Sequence, residues 1–197
     1  MNLPNKLTIF RIILVPIMVI IPFLEIEGRA FGIPTQWLII DLIFIIASIT
    51  DKLDGYLARK NNQVTTFGKF LDPLADKILV LSAMMMLVEM SKLPAWIPII
   101  VLAREFVISG YRLIAVEKGG KVIAASKWGK IKTVTQMLAI ILAFLDLNAF
   151  GECFSGVLQG GDLVLNLIVT LLMIIQVIAT IFSGIDYMKG SKKYIKD

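Results

Sequence analysis

Between residues 51 and 77 the chain reads DKLDGYLARKNNQVTTFGKFLDPLADK. Asp51 and Asp54 stand three apart and Asp72 and Asp76 four apart. On helices, each pair projects from one face. Four converging carboxylates repel one another, and a divalent cation is the natural candidate to offset that repulsion; the alternative is that the acids cap helices and pair with Lys52, Arg59 and Lys77. The chain has no histidine and one cysteine, Cys153, so imidazole ligands, thiolate clusters and an internal disulfide are excluded. Hard oxygen donors of this kind fit Mg²⁺ or Mn²⁺ better than zinc. The small residues Gly55, Ala58 and Gly68 lie among the acids and let a flat ligand or another backbone come close. Any chemistry must run on carboxylates, lysine, arginine and hydroxyls.

The elements that position these acids belong to a membrane protein. Of 197 residues, 57% are hydrophobic and 18% charged, where a soluble domain is about half apolar and about a quarter charged. The apolar residues also come in long runs without strand alternation. A water-soluble globular enzyme, a disordered chain and a disulfide-rich secreted module are thereby excluded. The expectation is an all-α integral membrane protein forming one domain over residues 1–197. A helix needs about 20 residues to cross the hydrocarbon core, and six segments qualify: Leu7–Leu24, Thr35–Leu57, Leu71–Met90, Ala95–Val116, Ile131–Leu147 and Leu163–Met188. Arg11 interrupts the first run and no small-residue cleavage site follows, so it reads as a permanent span, not a signal peptide. Pro73 is expected in the first turn of span three.

Charge placement sets the orientation. Arg59, Lys60 and Lys69 fall between spans two and three, and Lys118, Lys121, Lys127, Lys130 and Lys132 between spans four and five. Lys189, Lys192, Lys193 and Lys196 fill the tail, whereas the other connections hold only Arg29 and Lys92. Basic loops face the cytoplasm, which predicts a six-transmembrane-helix bundle with both termini cytoplasmic. The acid pairs then sit at the cytoplasmic ends of spans two and three, as antiparallel neighbours. The net charge of +5 is spread over span ends, without a basic block interleaved with exposed aromatics, and this argues against nucleic acid.

Asp51-x-x-Asp54-Gly55-x-x-Ala58-Arg59, eight residues, then Gly68-x-x-x-Asp72-x-x-x-Asp76 resembles the signature of the CDP-alcohol phosphatidyltransferases at every fixed position. The resemblance covers the whole chain. It implies transfer of the phosphatidyl group of CDP-diacylglycerol to an alcohol, with release of CMP, at a cytoplasm-facing site in the bacterial cytoplasmic membrane. It further implies that Asp51, Asp54 and Asp72 hold the divalent metal against the donor pyrophosphate. Asp76 borders the metal and acts as general base. Together with Asp54, Gly55, Ala58 and Gly68 line the cytidine site and Arg59 binds donor phosphate. Family members are commonly homodimers, so a homodimer is expected.

The opening Asn2-Leu3-Pro4-Asn5-x-Leu7-Thr8-x-x-Arg11, Ala103-Arg104-Glu105-Phe106 and Gly129-Lys130-x-Lys132-Thr133 are similar to the branch of the family that takes glycerol 3-phosphate. An anionic acceptor calls for cations. Asn5, Thr8 and Arg11 share a helix face if span one begins that early, and Arg104, Arg112, Lys127, Lys130 and Lys132 complete the acceptor-phosphate set. Arg104 has pairing with Glu105 as its alternative, and the lysines have anionic-lipid contact. Competing functions are the same donor chemistry with serine, inositol phosphate or a lipid alcohol, and a small cation transporter using the four acids. No internal repeat supports the transporter.

Overall fold

The computed structural model of the chain describes residues 2–60, 66–117 and 127–191. Six α-helices lie among them: α1 (Leu3–Ile20), α2 (Thr35–Lys60), α3 (Thr66–Glu89), α4 (Trp96–Glu117), α5 (Lys127–Leu145) and α6 (Gly160–Ser191). A 3₁₀ turn, Ile21–Leu24, extends α1, and a second, Glu152–Phe154, precedes α6. Helices suit these apolar runs because each satisfies its own backbone groups without water. Lys118, Lys121, Lys192, Lys193 and Lys196, which contributed to the orientation, lie outside the described residues.

Among the described residues, three segments are long and apolar enough to cross a membrane: Asn5–Leu24, Lys127–Leu145 and Gly160–Lys189. Helices α2, α3 and α4 have 26, 24 and 22 residues, long enough in themselves, but they carry most of the interior charge. Helix α6 shows which medium suits the surface. Val164, Ile168, Leu171, Ile175, Ile178 and Phe182 form an exposed apolar stripe, while Asn166, Thr170, Gln176, Thr180 and Ser183 are buried. Water would penalise that stripe, whereas lipid suits it.

The helix ends differ from expectation at three places. Helix α1 begins at Leu3, because its polar first turn, with Pro4 at the start, lies outside the apolar run that marked the span. Helix α3 begins at Thr66, so Pro73 is inside the helix and not in its first turn. A helix can start before the hydrocarbon does, and hydropathy locates only the second boundary. For the same reason Lys127, Lys130 and Lys132 belong to the first turns of α5 and not to the preceding loop. A short hairpin, β1 (Arg29–Ala30) and β2 (Ile33–Pro34), joins α1 to α2. Its two central residues, Phe31 and Gly32, have φ of 56° and 81°, the positive pair that a tight two-residue hairpin requires.

The described residues fall into two compact units. The first contains α1, α2, α3, Lys92 and residues 140–147 at the end of α5. Here α1 packs on both α2 and α3, and those two touch each other less. Its interior includes Met18, Ile40, Phe44, Leu79 and Leu87, all fully buried. The second unit contains α4, the first part of α5 and α6, with α4 packed along α6 and Ile97 and Met173 fully buried.

Lys92, between α3 and α4, is a buried cation in the first unit. Its ammonium donates to the carbonyl oxygens of Ala143 at 3.0 Å, Phe144 at 3.2 Å and Asp146, which the end of α5 leaves without helical partners. The same nitrogen lies 3.7 Å from the centroid of the Trp37 ring. Burial lowers its pKa from 10.5 to about 8, against the opposing pull of the Asp146 and Asp41 carboxylates. Because the folded pKa lies below the unfolded one, stability is least below pH 8 and rises as the folded amine loses its proton between about 8 and 10.5. Lys92→Met leaves the carbonyls and buried carboxylates without their cation and is expected to cost about 3 kcal/mol. It should also abolish the stability gain over that pH window, read as the thermal midpoint in detergent. A variant as stable as wild type, with the same pH slope, would refute this account.

Candidate active site

The acid motif is assembled by a third helix. Asp51 and Asp54 lie one helical turn apart on α2, and Asp72 lies on α3. Because α1 is already helical at Asn5, Thr8 and Arg11 share a face, and all three are buried. Arg11 is fully buried. Its Nη2 donates to Asp54 Oδ2 at 2.5 Å, and its Nη1 is 2.7 Å from Asp51 Oδ1, an ion pair by distance without hydrogen-bond alignment. Thr8 Oγ1 donates to Asp72 Oδ1 at 2.6 Å and lies 3.5 Å from Asp54 Oδ2. Two side chains of α1 therefore tie together three carboxylates from α2 and α3. Asp54 is buried, while Asp51 keeps 34% of its side-chain surface exposed.

The other motif residues take varied positions. Asp76 lies four residues beyond Asp72 on α3, half-buried, and Gly55 is half-buried on α2. Gly68 is buried near the start of α3. Ala58 and Arg59 belong to α2, but their side chains lie outside the described residues.

The donor set is all oxygen, which is the chemistry a hard divalent cation takes. Asp51, Asp54 and Asp72 share the partners Arg11 and Thr8, so they are near neighbours and fit such an ion in type and proximity. Among the described residues no three carboxylates close on a single point, because their oxygens turn toward the guanidinium and the hydroxyl.

The second unit holds its own charged cluster. Arg104 Nη1 donates to Glu105 Oε1 at 2.6 Å and its Nη2 to Ser183 Oγ at 2.5 Å. Lys132 Nζ donates to the same Glu105 Oε1 at 2.8 Å. Arg112 is exposed on α4, as are Lys127 and Lys130 on α5. Of the expected acceptor-phosphate residues, then, Asn5, Thr8 and Arg11 belong to the first unit, where Thr8 and Arg11 bind carboxylates. Arg104 and Lys132 meet on Glu105 in the second.

The sequence reading had Glu105 only as an alternative partner for Arg104, and gave no role to Ser183 or to Thr8 and Arg11 as partners of the acids. The available signal was the cost of a charge inside an apolar run: an arginine in a span requires a counter-ion, and here the only question was which.

The chain that carries this acid cluster matches, over residues 1–182, a profile of the CDP-alcohol phosphatidyltransferase family. The chain belongs to this family. It is 50% identical over 146 residues to a CDP-diacylglycerol–glycerol-3-phosphate 3-phosphatidyltransferase of Bacillus subtilis, covering 71% of this chain and 74% of that one. Proteins of the same description from Haemophilus influenzae and Rickettsia felis are 41% and 36% identical. These cover 100% and 98% of this chain, and 96% and 97% of their own lengths.

Removing the guanidinium should leave Asp54 buried without its cation. Arg11→Met is expected to destabilise the protein by about 3 kcal/mol, most of it through Asp54, since solvent screens the more exposed Asp51. Arg11→Lys should recover only part of this, because one ammonium cannot span two carboxylates as a fork does. Thermal unfolding of the two variants in detergent measures both effects. Equal midpoints for wild type and Arg11→Met would show that Arg11 does not hold the acids.

Proposed function

We propose that this chain transfers the phosphatidyl group of CDP-diacylglycerol to glycerol 3-phosphate, giving phosphatidylglycerophosphate and CMP. The observation that carries the reading is similarity along nearly the full chain to relatives described by that reaction, with a third, more similar over 71% of the chain. The family match over residues 1–182 supports it. Serine, inositol phosphate or a lipid alcohol as acceptor is less favoured, because those relatives take glycerol 3-phosphate.

In the mechanism we infer, Asp51, Asp54 and Asp72 hold a Mg²⁺ or Mn²⁺ ion, with Asp76 bordering it. When bound, the ion neutralises charge on the donor pyrophosphate. Asp76 takes the proton from the acceptor hydroxyl as its oxygen attacks the phosphorus that carries the diacylglycerol. That phosphorus loses its bond to the oxygen bridging it to the cytidylyl group, and CMP departs with the electron pair. Such a transfer needs positioning and charge neutralisation more than covalent help, and one displacement suffices. Asp54, Gly55, Ala58, Gly68 and Arg59 bind the CDP moiety. Arg104, Arg112, Lys127, Lys130 and Lys132 are assigned to the acceptor phosphate. Arg11 and Thr8 serve the acids from α1, and buried Asn5 stays with the acceptor-phosphate set.

The same reading takes all six helices as spans of one domain over residues 1–197, with both termini and the site on the cytoplasmic side of the cell membrane, in a homodimer. The lysine and arginine distribution supports that orientation.

The test is CMP release by purified protein in mixed micelles with CDP-diacylglycerol and divalent metal. Glycerol 3-phosphate, serine, inositol phosphate and glycerol are compared as acceptors. Turnover is expected with glycerol 3-phosphate, abolished by chelation of the metal and reduced about a hundredfold or more in Asp76→Asn, as for loss of a general base. Turnover with another acceptor alone would overturn the acceptor assignment. Undiminished activity in Asp76→Asn would overturn the base.

A further inference from the structure

The cluster of Arg104, Glu105 and Lys132 poses a physical question. A site for a phosphate gains from cations, yet here an acid lies between two of them. Both cationic nitrogens are bonded to one oxygen, Glu105 Oε1, at 2.6 and 2.8 Å. The three side chains are largely buried, 17%, 14% and 10% exposed for Arg104, Glu105 and Lys132. By charge alone Glu105 repels an incoming phosphate. By geometry it does the opposite. Arg104 and Lys132 have long flexible stems, reach the cluster from different helices, and would separate by mutual repulsion without a shared anion. Ser183 on α6 fixes the guanidinium at a second point. The Arg104 Nε–H is buried and has no hydrogen-bond partner among the described residues. It is a donor that the cluster itself leaves unused.

We infer that Glu105 is a positioning residue for the phosphate of the acceptor alcohol: it holds Arg104 and Lys132 as one clasp, and through them it sets the preference for a phosphorylated over an unphosphorylated alcohol. The inference rests on the assignment of Arg104 and Lys132 to the acceptor. A clasp ordered before binding loses less freedom when the phosphate arrives, and charge-assisted bonds hold it in place. The Glu105 carboxylate does not touch the reacting atoms. Its effect therefore falls on acceptor affinity and not on the transfer step.

Steady-state kinetics separate the two opposing effects. Glu105→Gln is expected to raise KM for glycerol 3-phosphate about tenfold, the size of one charge-assisted hydrogen bond, with kcat changed by less than about twofold. The donor KM should stay constant, and the preference for glycerol 3-phosphate over glycerol should shrink. Glu105→Asp, which keeps the charge on a shorter stem, should fall between wild type and Glu105→Gln. In a Lys132→Met background, whose own acceptor KM is raised, Glu105→Gln should add little, because it acts through that lysine. An acceptor KM that is unchanged or lower in Glu105→Gln overturns the inference, since charge would then outweigh position. Equal losses toward donor and acceptor also overturn it. Should Glu105→Gln fail to fold, Glu105→Asp decides by the same criterion. If Arg104→Gln and Lys132→Met leave the acceptor KM unchanged, the acceptor-phosphate assignment falls and this inference with it. If those two raise it and Glu105→Gln does not, only the role of Glu105 falls.

Discussion

The first unit depends on the guanidinium of Arg11. Placing a carboxylate inside a membrane helix costs about 3 kcal/mol at the centre and less toward the interface, and the second acid of a pair adds repulsion. Arg11 lies between Asp51 and Asp54 with no solvent exposure of its own, and Thr8 hydrogen-bonds Asp72. Helix α1 is thus the partner that makes an acidic motif tolerable on α2 and α3. An arginine suits the task better than a lysine, because a planar fork reaches two carboxylates at once. The arrangement also gathers carboxylates of two helices close together.

The same rule of local compensation recurs elsewhere in each unit. Lys92 caps the end of α5 and faces Asp41 and Asp146. Arg104 and Lys132 share Glu105. Charges that a hydrocarbon environment penalises are placed inside a unit and matched there, while the exposed stripe of α6 remains apolar.

The acid cluster of the first unit and the cation cluster of the second are built alike. In the first, α1 gathers carboxylates from α2 and α3, and in the second Glu105 gathers cations from α4 and α5. Neither cluster is a bare set of like charges. Each contains a member of the opposite sign, Arg11 among the acids and Glu105 among the cations. An opposite charge at the centre limits repulsion and fixes geometry, at the expense of some raw field.

The sequence alone determined that the chain is helical, with segments apolar enough to cross a membrane, and that four acids pair along two of its helices. Long apolar runs admit few other structures, and the spacing of Asp51, Asp54, Asp72 and Asp76 along two helices is local information. The approximate positions of all six helices were readable for the same reason. What tertiary structure decided was who faces whom. Thr8 and Arg11 read only as phosphate ligands, because a cationic side chain answers either anion and only the packing of α1 on α2 and α3 brings them to the acids. Glu105 carried no signal beyond an acid beside an arginine until α5 brought Lys132 to it. Pro73 read as a helix start because hydropathy marks the edge of the hydrocarbon and is blind to a helix that begins in water. Spacing within one element is written in the chain; pairing between elements depends on how their faces pack, and that is settled only when the helices come together.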